Sequence, residues 1–289
     1  MPSLKEYSSR IRSLGNTRKM TRTMKMVSAT KLRRAQEAQR RALDYGNRVD
    51  GIIGLLSRPD RRATHPLLET RPRVRRILVL LASSDRGLCG SFNHQVIRKT
   101  AAWVAERESR AVRVEVSFCG RRGFLALRDH VRARRTYEGA TAKPAFAQAR
   151  AISAELREAF LSGRYDEVHL AFNSFQGPMK QAPVVERLLP LRAEFPRARA
   201  AASVGFLFEP PAPELLAWLV PKIVDFRIYR ALLDSAAGEH GARMTAMDSA
   251  TTNAEKMINT LTRLRNRARQ AAITRELIEV VSGAEALGK

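Results

Sequence analysis

The stretch that decides the fold is Asn16-Thr-Arg-Lys-Met-Thr-Arg-Thr-Met-Lys-Met-Val-Ser-Ala-Thr-Lys-Leu-Arg-Arg-Ala-Gln36, which contains neither proline nor glycine. It lies within a longer helical pattern that begins at Ser3 and Glu6, the spacing of a capping box. Two interleaved heptad series predict a coiled-coil seam. One series is Tyr7, Leu14, Thr21, Ser28, Ala35, Ala42, Val49 and Leu56, and the other is Leu4, Ile11, Arg18, Lys25, Leu32, Gln39, Gly46 and Ile53. A helix over residues 1–57 is about 80 Å long and must protrude from a globule.

The C-terminal end shows a similar helical pattern. No proline occurs from Ile223 to Leu287. A similar spacing continues through Met247, Ala250, Ala254, Met257, Leu261, Leu264, Ala268, Ala271 and Ile278. We therefore predict a C-terminal helix within 211–289, about 95 Å long from Ile223 onward, that pairs antiparallel with 1–57. The many small residues in both series permit close approach but bury little apolar surface.

The middle of the chain alternates between strand and helix patterns. A basic, proline-punctuated linker spans 58–76. Strands are predicted at Ile77–Ala82, Val112–Cys119, Glu167–Phe172 and Val204–Phe208, with a further strand or hairpin arm at Val184–Leu191. Helices are predicted at Asn93–Glu108, Arg122–Arg128 and Phe146–Leu161. This order predicts a doubly wound, Rossmann-like α/β domain over 77–210, inserted between the two shaft helices.

Composition excludes several classes of protein. The 289 residues carry 52 lysines and arginines against 28 acids, a net charge of +24 that favours an acidic partner. The only two cysteines, Cys89 and Cys119, are too few for a disulfide framework. No apolar run approaches the roughly 18 residues of a membrane span, and no signal core precedes Leu4. We expect a cytoplasmic protein without a cleavable presequence.

Two glycine turns are candidate nucleotide sites. Ser83-Ser-Asp-Arg-Gly-Leu-Cys-Gly-Ser91 follows the first predicted strand, where doubly wound folds bind phosphate. It lacks the lysine of a P-loop and the spacing of GxGxxG, and Gly120-Arg-Arg-Gly123 shares this defect. Structural or partner-contact turns are the favoured interpretation. Asp85 and Arg86 are expected to pair and stabilise the first turn.

The sequence offers no convincing chemistry of its own. A nucleophilic Cys89 would need a pKa lowered by its basic turn, and a packed thiol is the favoured alternative. The five histidines show no metal-ligand spacing. We therefore predict no catalytic residue, no cofactor and no metal.

The N-terminal helix is unusually basic. Its charged residues between positions 18 and 41 are Arg18, Lys19, Arg22, Lys25, Lys31, Arg33, Arg34, Arg40 and Arg41, opposed only by Glu37. Such a run repels itself unless an anionic partner is present. Nucleic acid and an acidic protein surface both remain open at this point, although few aromatic residues are interleaved for stacking on bases.

Three segments together resemble the gamma chain family of F-type ATP synthases, of the bacterial kind. They are the stretch Asn16–Gln36 quoted above, the turn Ser84-Asp-Arg-Gly-Leu-Cys-Gly90, and the C-terminal segments 239–254 and 268–284. The resemblance runs the length of the chain in the right order. Thr30, where the family usually has alanine, and the arginine-rich linker depart from it.

The resemblance implies a non-catalytic rotor subunit. It implies that the paired helices form a shaft inside a hexamer of alpha and beta subunits, with one such chain per hexamer. It implies that the globular part contacts the epsilon subunit and the ring of c subunits, at the cytoplasmic face of the bacterial inner membrane. Rotation then couples proton or sodium transport to ATP synthesis or hydrolysis on the beta subunits.

The resemblance also carries over partner-contact positions. Met24, Lys25 and Arg243 match shaft positions near the acidic loop of the beta subunits. Arg269, Gln270 and Thr274 match positions that touch the beta subunits higher in the sleeve, and Cys89 matches a position near their lower ends. The alternatives from other classes are a basic coiled-coil protein that binds nucleic acid, without a stoichiometric protein partner, and a Rossmann-like nucleotide enzyme.

Overall fold

The computed structural model describes residues 3–56, 65–191 and 209–287. Helices are α1 (Leu4–Leu56), α2 (Phe92–Glu108), α3 (Arg121–Leu127), α4 (Phe146–Leu161) and α5 (Ala212–Leu287), with a short 3-10 helix at Pro66–Leu68. Strands are β1 (Arg76–Ala82), β2 (Arg113–Cys119), β3 (Arg132–Tyr137), β4 (Glu167–Gly177) and β5 (Lys180–Leu189). None of the helices in these ranges has an apolar stretch that would cross a bilayer. Contacts divide the chain into two compact units, one made of residues up to Val27 and from Met244 onward, the other of Ser28–Arg243.

Helix α1 begins as its capping box predicts. The backbone N–H of Glu6 donates to Ser3 Oγ at 3.2 Å, which satisfies one of the free donors of the first turn. From Tyr7 to Gly46, the members of both seam series are buried or half-buried, whereas most residues between them are exposed. The heptad prediction for α1 is therefore confirmed over this range.

In the first unit, α1 and α5 pair antiparallel through small and polar side chains. The hydroxyls of Thr21 and Thr251 lie 2.7 Å apart. One turn along, Lys25 Nζ lies 2.6 Å from Asp248 Oδ1. The residue number rises on one helix as it falls on the other, as an antiparallel pair requires.

The predicted seam of α5 is only partly correct beyond Ala254, where Leu261 and Ala268 are half-buried as predicted. The predicted members Met257, Leu264 and Ile278 are instead exposed by 55%, 42% and 59%, while Ile258 and Arg265, outside the predicted series, are half-buried. The 3/4 spacing allowed more than one helical face, and only the partner helix selects the one that is buried. From Ile273 to Ser282 every side chain of α5 is exposed.

The second unit is built on a five-stranded sheet of order β3-β2-β1-β4-β5. The pairs β1–β2, β1–β4 and β2–β3 are parallel, while β5 returns antiparallel beside β4. One face packs on α4 and α5 through Leu78, Leu80, Leu156, Leu170 and Ile228. The other face packs on α2 and α3 through Val79, Val96, Val104, Val116 and Leu127. Helices on both faces confirm the doubly wound α/β prediction.

Sequence reasoning missed β3 and misplaced β5. Strand β3 reads Arg-Ala-Arg-Arg-Thr-Tyr, and as an edge strand it needs no apolar alternation. Strand β5 begins at Lys180 and contains Pro183, which an edge strand tolerates. The predicted strand Val204–Phe208 and part of the predicted linker lie outside the described residues.

In the second unit α1 also packs on α5. Ala42, Phe226 and Leu233 form a small buried cluster, and Gln39 Nε2 donates to Asp234 Oδ1. Gly46 lies directly under the ring of Phe226, and a Cβ at this position would overlap the ring. Gly46 belongs to the second predicted seam series. The structure shows that it permits close helix approach.

Candidate partner-contact sites

The predicted contact residues fall into three places in the described chain. Met24 and Lys25 lie on α1 in the first unit. Cys89 and Arg243 lie in the second unit, around the turn after β1. Arg269, Gln270 and Thr274 lie together on the exposed part of α5 in the first unit.

Lys25 forms a solvent-accessible ion pair. Its side chain and that of Asp248 are 43% and 56% exposed, and their 2.6 Å contact joins the two helices. Exposed pairs of this kind stabilise a fold by about 0–1 kcal/mol and are screened by salt. Lys25 is therefore held in place weakly enough to exchange its partner for another carboxylate. Met24, the preceding residue, is half-buried.

Arg243, in contrast, is held inside the second unit. Its Nη1 lies 2.8 Å from Glu239 Oε1, and these side chains are only 11% and 7% exposed. Its Nε and Nη2 donate to the carbonyl oxygen of Gly87 at 3.3 and 3.0 Å. The guanidinium thus fastens the turn after β1 to α5. We call this arrangement of Glu239, Arg243 and Gly87 the Arg243 clamp.

Burial controls protonation around the Arg243 clamp. Burial raises the pKa of Glu239, while the positive charge and hydrogen bond of Arg243 oppose the rise. Burial, together with the charges of Arg243 and Lys31, lowers the pKa of the neighbouring His240 to about 4. His240 is consequently neutral at physiological pH and leaves Arg243 as the cation of the cluster.

Cys89 is a packed thiol. It is 2% exposed, and Asn93 Nδ2 donates to its Sγ at 3.2 Å. Burial raises the pKa of Cys89, with smaller opposing effects from Ser84 and Arg243. Cys89 therefore lacks the lowered pKa that a nucleophile would need, because desolvation outweighs the basic charges nearby, in line with the favoured interpretation of a packed thiol.

The turn after β1 is fixed by its own polar groups. Asn93 Oδ1 accepts from the backbone N–H of Ser84 at 3.0 Å, and its Nδ2 donates to Ser84 Oγ at 2.7 Å. Asp85 Oδ1 accepts from the N–H of Arg121 at the start of α3, at 3.0 Å. The expected Asp85–Arg86 pair is therefore wrong, since the carboxylate stabilises the next turn instead.

The two glycine turns pack on each other. The backbone of Gly120 has φ of 96°, and a Cβ there would overlap the carbonyl oxygen of Ser83. Ser83 Oγ in turn accepts from the N–H of Gly123 at 2.9 Å. The glycines serve close backbone contact, which is the structural interpretation favoured from the sequence.

In the described part of the chain, the third group has no fixed partners beyond its own helix. Arg269, Gln270 and Thr274 are exposed, and Thr274 Oγ1 donates to the carbonyl oxygen of Gln270 at 3.0 Å. This is the ordinary way for a helical threonine to satisfy its hydroxyl group. The guanidinium and the amide are left to solvent or to a partner chain.

Sequence reasoning missed Glu239, Gly87 and Asp248, the groups that position the predicted cations. Glu239 and Arg243 are spaced i,i+4 with the acid first, a helical ion-pair signal that was present in the sequence. Asp248 required the register of α1 against α5, and no local pattern shows that register.

Fold and sites together define a protein with a long antiparallel helix pair and a doubly wound α/β domain, whose buried polar groups serve packing. Comparisons with known proteins identify the family to which this chain belongs. The sequence model of a family described as ATP synthase matches residues 3–287. An ATP synthase gamma chain from Anaeromyxobacter sp. (strain Fw109-5) is 46% identical, covering 99% of this chain and 100% of the relative. One from Geobacter metallireducens is 40% identical, covering 99% of each.

Solved structures agree with the fold. A chain of the Euglena gracilis mitochondrial ATP synthase, in a structure of OSCP, F1 and the c-ring, is similar with a TM-score of 0.67 and 16% identity. That match covers 98% of this chain and 94% of the other. A chain of the Tetrahymena thermophila central stalk and c-ring gives a TM-score of 0.59 at 22% identity, covering 80% and 99%.

The chain belongs to the ATP synthase gamma chain family. The relatives give no support to a nucleic-acid-binding protein, since all those compared above are ATP synthase gamma chains.

Proposed function

We propose that the chain is the central rotor shaft of an F-type ATP synthase, and that its rotation couples ion transport to ATP synthesis or hydrolysis on the beta subunits. One copy sits in the hexamer of alpha and beta subunits. The single observation that supports this most directly is the antiparallel pair of α1 and α5 in the first unit, whose seam is small and polar. Such a pair is slender. At the C-terminal part of α5, every side chain from Ile273 to Ser282 is exposed.

A rotor must not bind its sleeve tightly in any one orientation. The exposed apolar residues of terminal α5 are Ile273, Leu277, Ile278, Val280 and Val281. Aliphatic side chains of this kind make non-directional contacts, which change little in energy as the shaft turns. This segment therefore acts as a bearing surface against the sleeve.

Charged contacts supply the coupling. Lys25, in its exposed and screened ion pair with Asp248, exchanges this partner for the acidic loop of the beta subunits. Met24 lies beside it and sets the local shape. Arg269, Gln270 and Thr274 meet the beta subunits higher in the sleeve. Among the described residues, no other element offers their exposed polar groups a competing partner.

Arg243 and Cys89 lie in the second unit, at the turn after β1. The Arg243 clamp fixes the turn after β1, so the exposed residues of that turn meet the lower ends of the beta subunits in a constant geometry. Leu88, 62% exposed with φ of 62°, is the outermost apolar group of this turn.

For function, the chain divides into shaft segments 1–57 and 211–289, a basic linker 58–76 and a globular domain 77–210. The globular domain contacts the epsilon subunit and the c-ring. The assembled subunit lies at the cytoplasmic face of the bacterial inner membrane as a peripheral component.

The contact residues are tested in a complex reconstituted with alpha and beta subunits from the same source. Arg269→Ala and Gln270→Ala each lower ATP turnover, whereas Arg267→Ala, an exposed α5 arginine outside the proposed contact set, leaves it within about twofold of the parent. Unchanged synthesis and hydrolysis in the first two variants would remove them from the contact set.

A further inference from the structure

A cleft that the rotor function does not use lies at the open edge of β5 in the second unit. Its volume is about 500 Å³. Strands β4 and β5 contribute Glu167, His169, Glu186 and Arg187, α2 contributes Arg107, and α5 contributes Arg227 and Arg230. Four arginines therefore face two glutamates, and the wall carries excess positive charge.

One side of the cleft is preorganised. Glu167 Oε2 lies 2.8 Å from His169 Nε2, and its Oε1 accepts from Arg187 Nη1 at 3.3 Å. Burial acts to raise the pKa of Glu167, but the hydrogen bonds from His169 and Arg187 lower it overall. One carboxylate thus stays ionised and holds Arg187 in a defined orientation.

Among the described residues the other three arginines have no direct ion pair, although Asp234 lies near enough to Arg230 to interact with it electrostatically. Within the described part of the chain, Arg107, Arg227 and Arg230 have no carboxylate within 4.0 Å. The buried Nε atoms of Arg107 and Arg187 have no hydrogen-bond partner there either. A buried donor without an acceptor is costly, and a bound anion supplies the missing acceptor.

The chemistry of the wall selects the class of ligand. Planar guanidinium groups bind phosphate oxygens through paired N–H donors. The described rings at the cleft are not open to a nucleobase, because the lining residues Phe172 and Phe226 are buried. Trp103 nearby is flanked by Arg107 at 5.0 Å and by the ring of His169 at 4.7 Å. We propose that the cleft at the β5 edge binds a small phosphate-bearing anion with two or more negative charges.

The test measures binding of inorganic pyrophosphate to the complete chain. The chain has two tryptophans, so Trp218→Phe leaves Trp103, beside Arg107, as the fluorescent reporter. Pyrophosphate is titrated at ionic strength held constant with potassium chloride, and calorimetry on the same samples gives an independent Kd. We expect one saturable site per chain.

Charge variants decide whether the cleft is the site. Arg227→Gln combined with Arg230→Gln raises the Kd at least about tenfold, whereas Arg98→Gln, an exposed arginine of α2 outside the cleft, changes it less than about twofold. Glu186→Gln removes a repelling carboxylate and lowers the Kd, an effect that loss of folding cannot produce. No saturable binding by either method, or equal weakening in the double variant and in Arg98→Gln, overturns the proposal.

Discussion

Glu239 Oε1 lies 2.8 Å from Nη1 of Arg243, and both side chains are almost completely buried. The same guanidinium donates to the carbonyl oxygen of Gly87, so one ion pair on α5 fixes a turn far away in sequence. Arg243 therefore has an internal structural role, whatever contact it makes with a partner chain.

Breaking the Arg243 clamp is expected to destabilise the second unit. Arg243→Leu leaves the Glu239 carboxylate buried without its partner, which should lower the free energy of unfolding by about 3 kcal/mol. Arg33→Leu is the matched control, since Arg33 and Glu37 are spaced i,i+4 but 84% and 52% exposed. Its cost should stay below about 1 kcal/mol. Urea unfolding of the complete chain measures both, and equal effects would show that the clamp contributes no more than a surface pair.

Gly46→Ala should destabilise the chain although alanine favours a helix. The added methyl group overlaps the ring of Phe226, and relieving that overlap costs about 1–3 kcal/mol. Gly15→Ala on the same helix meets nothing within 4 Å, so it should stabilise by about 0.5–1 kcal/mol. Thermal unfolding compares the pair. Stabilisation by both substitutions would mean that α1 and α5 do not approach as closely as described.

Asp234 should make stability fall as pH rises through the range from about 4 to 6. Burial raises its pKa to about 6 against an ordinary value of 3.8, so the folded chain holds a proton that the unfolded chain has lost. The stabilisation from this proton is complete below the pKa of the unfolded chain. It is lost as pH rises through the pKa of the folded chain, an effect on the order of 1–3 kcal/mol.

Asp234→Asn isolates this effect. Asparagine keeps an oxygen for the Gln39 amide but does not titrate. Urea midpoints measured from pH 4 to pH 7 should fall less in the variant than in the parent chain. Identical pH profiles would show that Asp234 ionises normally in the folded protein.

Cys89 should react slowly with alkylating reagents. Its Sγ is buried and its pKa is raised, so both access and thiolate content are low near neutral pH. Iodoacetamide labelling at pH 7.5, followed by mass spectrometry, should be at least about tenfold slower in the folded chain than in urea. Equal rates would indicate an open turn after β1 and would reopen the question of a reactive thiol.

Local patterns were sufficient for most of the fold. The capping box at Ser3 located the start of α1, and apolar runs such as Ile77–Ala82 located the central strands because those strands are covered on both faces. Strand β3 was missed because an edge strand rich in arginine carries no such signal. The buried face of α5 beyond Ala254 was predicted only in part, since a repeating spacing does not say which face its partner covers.

The contact sites were less predictable than the fold. The positions of Met24, Lys25, Arg269 and Gln270 came from family resemblance. Whether a basic side chain is free or engaged depends on partners that are distant in sequence. Gly87 is such a partner for Arg243, and Asp248 is one for Lys25. The packed state of Cys89 depends in the same way on burial and on its hydrogen bond with Asn93. The basic residues next to Cys89 in the sequence indicate neither of these.

The measurement that tests the rotor assignment most directly is ATP hydrolysis by alpha and beta subunits from the same source, reconstituted with and without this chain. The complex is sized in parallel, and its subunits are counted by native mass spectrometry. The rotor function predicts one copy of the chain per hexamer and stimulated turnover. Failure of the chain to enter the hexamer, or incorporation without any change in turnover, would contradict it.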